Sequence, residues 1–448
     1  MSDCGRKVLL ISYHFYPDAA VGARRPTEFA KSLSDNGFDV DVLTAKRELL
    51  DKPGYVNSIF SVREYPDPVN VLWCLVKKIR NVFRQGGGGQ VSVKKTVNQM
   101  TETEKSTLAV KNENFSKKLK RYVLSYQALM SAQKTWVLSC VFYLLWLKLI
   151  GKRYDIVLSS SPPASVNFIA LLAKKIFNAK WICDLRDPII QWEDIYPECI
   201  SGFRVSIEES LEMQYLKSSS NVLVTTPSFY AEVSKKLTRQ SFDVERVAVL
   251  YNGYDVEPLE SNNNLCSDKV FRIVHAGTLY MNRDPIPFFL AIKKLIDLSI
   301  FERKELVVEF YGDCQLWNGI DLSEWLKSEN LNDVIQLKGV IKGDLLPKIY
   351  CSADLLLAFA QGQPKQIPAK IFEYIPYSGR ILAITEKESD TATLLGEYQL
   401  GLQADNLEES IVGAIRTIID EGRQSMSERK SLFSREKQNL KLIELCCD

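Results

Sequence analysis

The amino-acid sequence predicts an α/β protein made of two Rossmann-like, doubly wound parallel-sheet domains. The apolar run Lys7-Val8-Leu9-Leu10-Ile11-Ser12, a helical pattern and a second strand run from Asp39 to Thr44 form a βαβ opening. The same rhythm starts afresh at Phe271, after the polar run Glu260-Ser261-Asn262-Asn263-Asn264. At 448 residues the chain is long enough for two domains of ordinary size. Their expected limits are 1–255 and 265–426, with a basic insertion at about 70–130 in the first and a helical, charged tail at 427–448.

Composition narrows the class. With 46% hydrophobic and 25% charged residues the chain reads as soluble and globular. A net charge of +2 argues against a nucleic-acid partner for the protein as a whole. The first apolar run is too short for the core of a signal peptide, so a cytoplasmic location is expected. The ten cysteines contain no C-x-x-C and read as reduced thiols. Only His14 and His275 are present, so no His-rich metal site and no metal cofactor are expected.

In chain order, the loop from Tyr13 to Gly22 follows the first strand, where a doubly wound sheet places its ligand. His14, Gly22 and the neighbouring Arg24 are therefore candidate site residues. The loop lacks G-x-G-x-x-G, and a lone glycine equally serves a turn. Residues Arg24 to Leu33 read as a helix stopped at Gly37. The insertion carries twelve Lys and Arg between Lys77 and Arg121 against Glu102, Glu104 and Glu113, with the linker Gly86 to Gly89 inside it. It reads either as a solvated insertion or as a segment lying on an anionic membrane surface. The apolar run Trp136 to Leu147 is shorter than the about 20 residues needed to span a bilayer. A buried helix is expected there, with monotopic insertion as the second reading.

A strand over Asp155–Ser160 and a helix over Val166–Phe177 lead to Trp181-Ile182-Cys183-Asp184-Leu185-Arg186-Asp187-Pro188. Two carboxylates and an arginine at the end of a strand buried on both faces form either a salt-bridged cap or a ligand contact. Glu208, Glu209 and Glu212 are expected to be a solvated helix face. Asn221 to Thr226 is a strand running into a helix N-cap, and Asn252-Gly253 is a turn. In the second half the strand Phe271–Ala276 meets Gly277, with Arg283 near the next helix start, an arrangement suited to a diphosphate. His275 reads as a satisfied core histidine. Strands follow at 306–311, 334–339 and 354–359. Then comes Ile367-Pro368-Ala369-Lys370-Ile371-Phe372-Glu373-Tyr374-Ile375, with Ser378-Gly379-Arg380 and the strand Ile381–Ile384 behind it. Lys370 and Glu373 share one face near the start of that helix. The residues leave two readings: a holder for a phosphate and a sugar hydroxyl, or a surface ion pair.

The Lys370–Glu373 helix resembles the P-S-K-x-x-E-Y helix of family 4 glycosyltransferases with the GT-B fold. Asp184–Pro188 resembles the D-L-R-D-P segment of the polysaccharide-biosynthesis branch of that family. Weaker resemblances run through the Gly22 loop, Asn252–Asp255 and Gly277–Arg283, covering the chain outside about 70–130. The resemblance implies two domains facing a cleft, a nucleotide diphosphate sugar donor and transfer, with retention, to the hydroxyl of a glycan or lipid-linked acceptor. It implies a hexosyltransferase-type enzyme of surface polysaccharide or glycolipid synthesis, on the cytoplasmic side and peripheral to the membrane. It gives Arg283 and Lys370 the leaving diphosphate, Glu373 the ribose, Gly277 the close backbone approach, and Asp187, Arg186 and His14 the acceptor or the transferred sugar. Gly22 and Arg24 would close on the donor phosphates and acceptor, and the tail would pack back on the first domain. One departure stands out: the first glutamate of the family's E-x7-E pattern is Lys365 here, which the resemblance leaves as a further donor-binding cation. Two alternatives stay open: a nucleotide-sugar epimerase, which can share the fold, and, because of Lys365, a non-catalytic scaffold in a polysaccharide-assembly complex.

Overall fold

The structure, a computed structural model, describes residues 5–18, 20–45, 52–65, 133–189, 202–255, 270–280, 282–377, 379–422 and 431–448. The basic insertion and the polar run Glu260–Asn264 lie outside them. The first sheet alternates β1 (Lys7–Ile11), α1 (Val21–Asp35), β2 (Asp39–Ala45), β3 (Ser58–Val62), α2 (Lys134–Leu149), β4 (Ile156–Ser161), α3 (Ser165–Phe177), β5 (Lys180–Leu185), α4 (Gly202–Ser218), β6 (Asn221–Val224), α5 (Pro227–Thr238) and β7 (Val247–Val249). Its order is β3-β2-β1-β4-β5-β6-β7. β1 pairs in parallel with both β2 and β4, and β4 with β5. Every residue of β4 is buried, as expected for a parallel strand covered on both faces.

The second sheet runs through β8 (Phe271–Ala276), α6 (Ile286–Asp297), β9 (Leu306–Tyr311), the ribbon β10 (Leu316–Trp317) and β11 (Ile320–Asp321), α7 (Leu322–Ser328), β12 (Ile335–Gly339), α8 (Leu346–Ser352), β13 (Leu355–Phe359), α9 (Ala369–Tyr374), β14 (Arg380–Ile384), α10 (Asp390–Glu397), β15 (Gly401–Ala404), α11 (Glu408–Glu421) and α12 (Arg435–Cys447). Its order is β12-β9-β8-β13-β14-β15. Strand periodicity divides the core cleanly. Leu355, Leu357 and Phe359 of β13 join a layer with Phe288, Phe289 and Phe310, whereas Leu356 and Ala358 join one with Ile371, Phe372 and Tyr374. The expected fold class, two doubly wound parallel-sheet α/β domains, is the observed one.

Contact grouping separates the chain into two compact units, residues 1–223 with 239–246, and residues 224–238 with 247–448. α12 is tied to the segment after β7: Tyr254 N–H donates to Phe433 O at 3.0 Å, and Arg435 N–H to Tyr254 O at 2.8 Å. All six described cysteines are free thiols.

Two expectations are corrected. Glu208 and Glu212 are not solvated; both are buried, one helical turn apart, and Arg204 Nε donates to Glu208 Oε1 at 3.0 Å. The i, i+4 spacing that suggests a charged surface stripe is equally the spacing of one buried face when a cation lies on it. Glu209, off that face, is exposed. Likewise α2 is not a buried helix. Trp136, Cys140, Leu144 and Leu147 are buried, but Leu138, Phe142, Leu145 and Trp146 face outward.

Gly312 follows β9 with φ +120°, and a Cβ there would meet Gly277 O at 2.2 Å. Gly312→Ala is expected to destabilise the protein by about 3 kcal/mol in urea unfolding. Gly319→Ala has the same kind of backbone, φ +86°, but open space, and should cost only the conformational part.

Candidate functional site

In a doubly wound sheet the chain order reverses at one point, and polar groups gather there at the carboxyl ends of the strands. The reversal falls between β1 and β4 in the first sheet and between β8 and β13 in the second.

At the first reversal the anchor is Asp184, fully buried at the end of β5. Arg25 of α1 grips it from two nitrogens, Nη2 to Oδ1 at 2.7 Å and Nε to Oδ2 at 3.1 Å, and Ser160 Oγ donates to Oδ2 at 2.7 Å. Arg186 lies beside this group and donates to three carbonyls: Gly22 at 2.9 Å, Pro162 at 3.0 Å and Ser161 at 3.1 Å. The Gly22 contact has a sequence origin. Pro26 stands four residues on, inside α1, and has no N–H to give the Gly22 carbonyl its helical bond. The guanidinium of Arg186 takes that place. A Cβ on Gly22 would sit 3.5 Å from Arg186 Nη1 and 3.6 Å from His14 Cδ2, so His14, Gly22 and Arg186 are neighbours. His14 Nδ1 is 2.6 Å from Asp18 Oδ2. The Asp187 carboxyl is pushed above the ordinary range by its removal from water, with Arg186 opposing and Asp184 adding to the rise. Arg24 is exposed, and the cation that reaches the strand end is Arg25. The signal was available: Arg25, Phe29 and Leu33 share one helix face, and Arg25 lies 4.9 Å over the Phe29 ring.

At the second reversal two loops meet. After β8, Gly277 N–H donates to Tyr311 O at 2.8 Å, and the chain reaches Arg283, whose guanidinium stacks on Tyr280 at 4.4 Å. After β13, Gln361 Nε2 donates to Asp284 O at 3.2 Å, and Gly362 N–H donates to Glu386 Oε1 at 2.7 Å. Tyr374 holds α9 over both strands: its hydroxyl accepts from Ala276 N–H at 3.0 Å and donates to Leu357 O at 3.3 Å. Lys370 Nζ contacts Glu373 Oε2 at 2.6 Å and Tyr350 Oη at 3.3 Å, with both partners of the ion pair half-buried. α9 has six residues, so the cationic character of its start rests on Lys370 rather than on a long helix dipole. Lys365, in the loop before α9, has an acidic partner. It pairs at 3.1 Å with Glu232 of α5, which also holds Lys236.

His275 lies beneath these cations, buried, with its ring near Phe310 and Phe359. Nδ1 bonds Leu357 O at 3.0 Å and so carries the proton, while Nε2 has no partner among the described residues. Burial brings its pKa down to about 4, with a smaller push from the charges of Arg283 and Lys370. The structure therefore brings Gly277, Arg283, Lys370 and Glu373 around His275 and Tyr374, and pairs Lys365 with Glu232. Glu386 and Tyr374 join the group without having been singled out from sequence. Among the described residues no three His, Cys, Asp or Glu side chains gather as a metal site.

No protein-family model and no curated protein sequence matches the chain. Solved structures match it in three dimensions. Sucrose-phosphate synthase from Thermosynechococcus elongatus aligns with a TM-score of 0.60 over 98% of each chain at 14% identity. HepE of Anabaena, solved with UDP and glucose, aligns with a TM-score of 0.55 over 98% of this chain and 99% of its own at 13% identity. The catalytic domain of Starch Synthase IV from Arabidopsis thaliana, bound to ADP and acarbose, aligns with a TM-score of 0.55 over 98% of each chain at 13% identity. The fold shared with these proteins is the GT-B fold.

Arg25→Met would leave Asp184 buried without its cation and is expected to cost about 3–5 kcal/mol in denaturant unfolding. Arg24→Met should stay within about 0.5 kcal/mol, and Arg25→Met with Asp184→Asn should cost less than Arg25→Met alone.

His275 gives a pH signature. Its folded pKa, about 4, lies below the unfolded value of 6.5, so the unfolded chain binds the extra proton between those limits. Its contribution is complete above pH 6.5 and is lost as pH falls toward 4. Unfolding free energy should therefore drop by up to about 3 kcal/mol more in the native chain than in His275→Gln over that window.

Proposed function

We propose that this chain is a glycosyltransferase that moves a sugar from a nucleotide diphosphate sugar to an acceptor hydroxyl. The observation that carries the reading is the convergence of Gly277, Arg283, Lys370 and Glu373 at the carboxyl ends of β8 and β13. Arg283 and Lys370 neutralise the charge that grows on the departing diphosphate, in place of a metal ion. An ammonium has three donors, so Lys370 can keep Glu373 and still reach a phosphate oxygen. Glu373 accepts from the ribose hydroxyls, and Gly277 lets the backbone come close. In the first unit His14, Arg186 and Asp187 position the acceptor or the transferred sugar; a carboxyl with a raised pKa beside a guanidinium suits that role. HepE solved with UDP and Starch Synthase IV bound to ADP support a nucleotide-sugar donor without choosing its base.

On this reading the reaction retains the anomeric configuration and the sugar is a hexose. The acceptor is a glycan or lipid-linked glycan of surface polysaccharide or glycolipid synthesis, met at the cytoplasmic face of an anionic membrane.

A melting-temperature survey across UDP-, GDP- and ADP-sugars tests the donor site, because a ligand that binds only the folded state raises the transition by mass action. One nucleotide class should stabilise the native chain and not Glu373→Ala. Arg283→Ala should lower turnover, read as nucleotide release, by about 100-fold or more while leaving the ligand-free melting temperature unchanged. No stabilisation by any donor, or undiminished turnover in Arg283→Ala, would remove the reading.

A further inference from the structure

α2 carries two apolar faces and only one of them is covered. Leu138, Phe142, Leu145, Trp146, Leu149 and Ile150 form a continuous outward stripe, with Phe142 73% and Leu149 84% exposed. It runs for about 18 Å along the helix, whereas large apolar residues on a monomer surface are normally scattered singly.

The charges around the stripe have one sign. The sequence from Gln133 to Tyr154 contains no carboxylate, and Lys148 and Arg153 are exposed within it. α3, packed beside α2, adds the exposed Lys175 and again no carboxylate, while its Lys174 donates to Ser218 O. The carboxylates of Asp41, Asp155 and Glu64 already have partners. Asp41 is held by Lys152 at 2.9 Å and Tyr154 at 2.8 Å, Asp155 accepts from Lys7 N–H at 2.8 Å, and Glu64 accepts from Tyr13 Oη at 2.6 Å. A second copy of this face would bring the same cations against each other.

We infer that the outward face of α2 is a membrane-docking surface that lies in the headgroup region of an anionic bilayer. An apolar helix face rimmed by cations is matched by a surface with an apolar interior and negative headgroups. At 16 residues the helix is too short to span, and no described helix is long and apolar enough to do so. Trp146 and its neighbour Tyr143, in ring contact, supply the amphipathic rings that favour the interface. This deepens the membrane part of the proposed function and is independent of the donor chemistry, so either can fail while the other stands.

The test is co-sedimentation of the 448-residue chain with phosphatidylcholine vesicles, with and without phosphatidylglycerol, at low and high salt. The native chain should bind the anionic vesicles more tightly, with salt weakening the preference. Phe142→Ser with Leu149→Ser should reduce vesicle binding more than tenfold without changing the melting temperature, since both side chains face outward. Arg153→Ser with Lys175→Ser should lose the preference for anionic lipid. The inference is overturned if the native chain does not bind anionic vesicles, or if binding survives the Phe142 and Leu149 changes. Self-association without lipid, dispersed by those changes, would assign the face to a second copy and overturn it equally.

Discussion

The ion pair between Arg25 and Asp184 governs the carboxyl edge of the first sheet. Asp184 ends a strand buried on both faces, and a carboxylate with no exposure to water must be met by a cation in the interior. α1, crossing that edge after β1, brings it as Arg25. Placing Arg25 fixes the rotation of α1, and that rotation puts Gly22 beside the next arginine on β5's extension. Because Pro26 withholds its N–H, the carbonyl of Gly22 is open to Arg186, so two adjacent arginine contacts define where the loop after β1 can lie. The loop is positioned from both ends, and His14 is carried into place by it.

The second sheet solves the same problem without a buried charge pair. Tyr374 stands in the middle of the reversal and satisfies a donor on β8 and an acceptor on β13 with one hydroxyl. That clamp fixes the turn of α9, and with it Lys370, one turn back, and Glu373, the residue before Tyr374. The Gly312 backbone closing on Gly277 sets the other wall at van der Waals limits that no side chain would permit. Apolar packing of Phe310 and Phe359 around His275 then keeps the floor dry and the imidazole neutral.

The strands of both sheets were legible because a parallel strand buried on both faces leaves an unbroken apolar run, as in Val8–Ile11 and Leu355–Phe359. The Lys370–Glu373 face and Gly277 were legible because the motif carrying them is local. What was not legible depended on partners distant in sequence. Arg24 and Arg25 are adjacent, and only the position of Asp184 decides which of them matters. Glu208 and Glu212 read as solvated because nothing local announces that their face turns inward with Arg204. α2 read as buried because its composition is apolar all round; exposure of one side depends on how much of the sheet's flank is left to cover it. Lys365 read as a further cation for the donor site, and its pairing with Glu232 on α5, distant in sequence, was not legible.

On the proposed reading, the arrangement around His275 has an electrostatic logic. Arg283 and Lys370 both disfavour its protonation, so the unliganded site already carries an excess of positive field over a group kept neutral by burial. Glu373 offsets part of that field, and it is tied to Lys370. A diphosphate seated against the two cations would cancel the remainder, and its charge would act through a low-dielectric floor of Phe310 and Phe359 rather than through water. The same burial that keeps His275 from titrating therefore strengthens the pull of the two cations on an anion. A histidine that stayed protonated would instead move the positive centre into the core, away from where a leaving group could use it. The neutral ring and the paired cations are in this sense one device, built on the two strands that the chain reversal brings together.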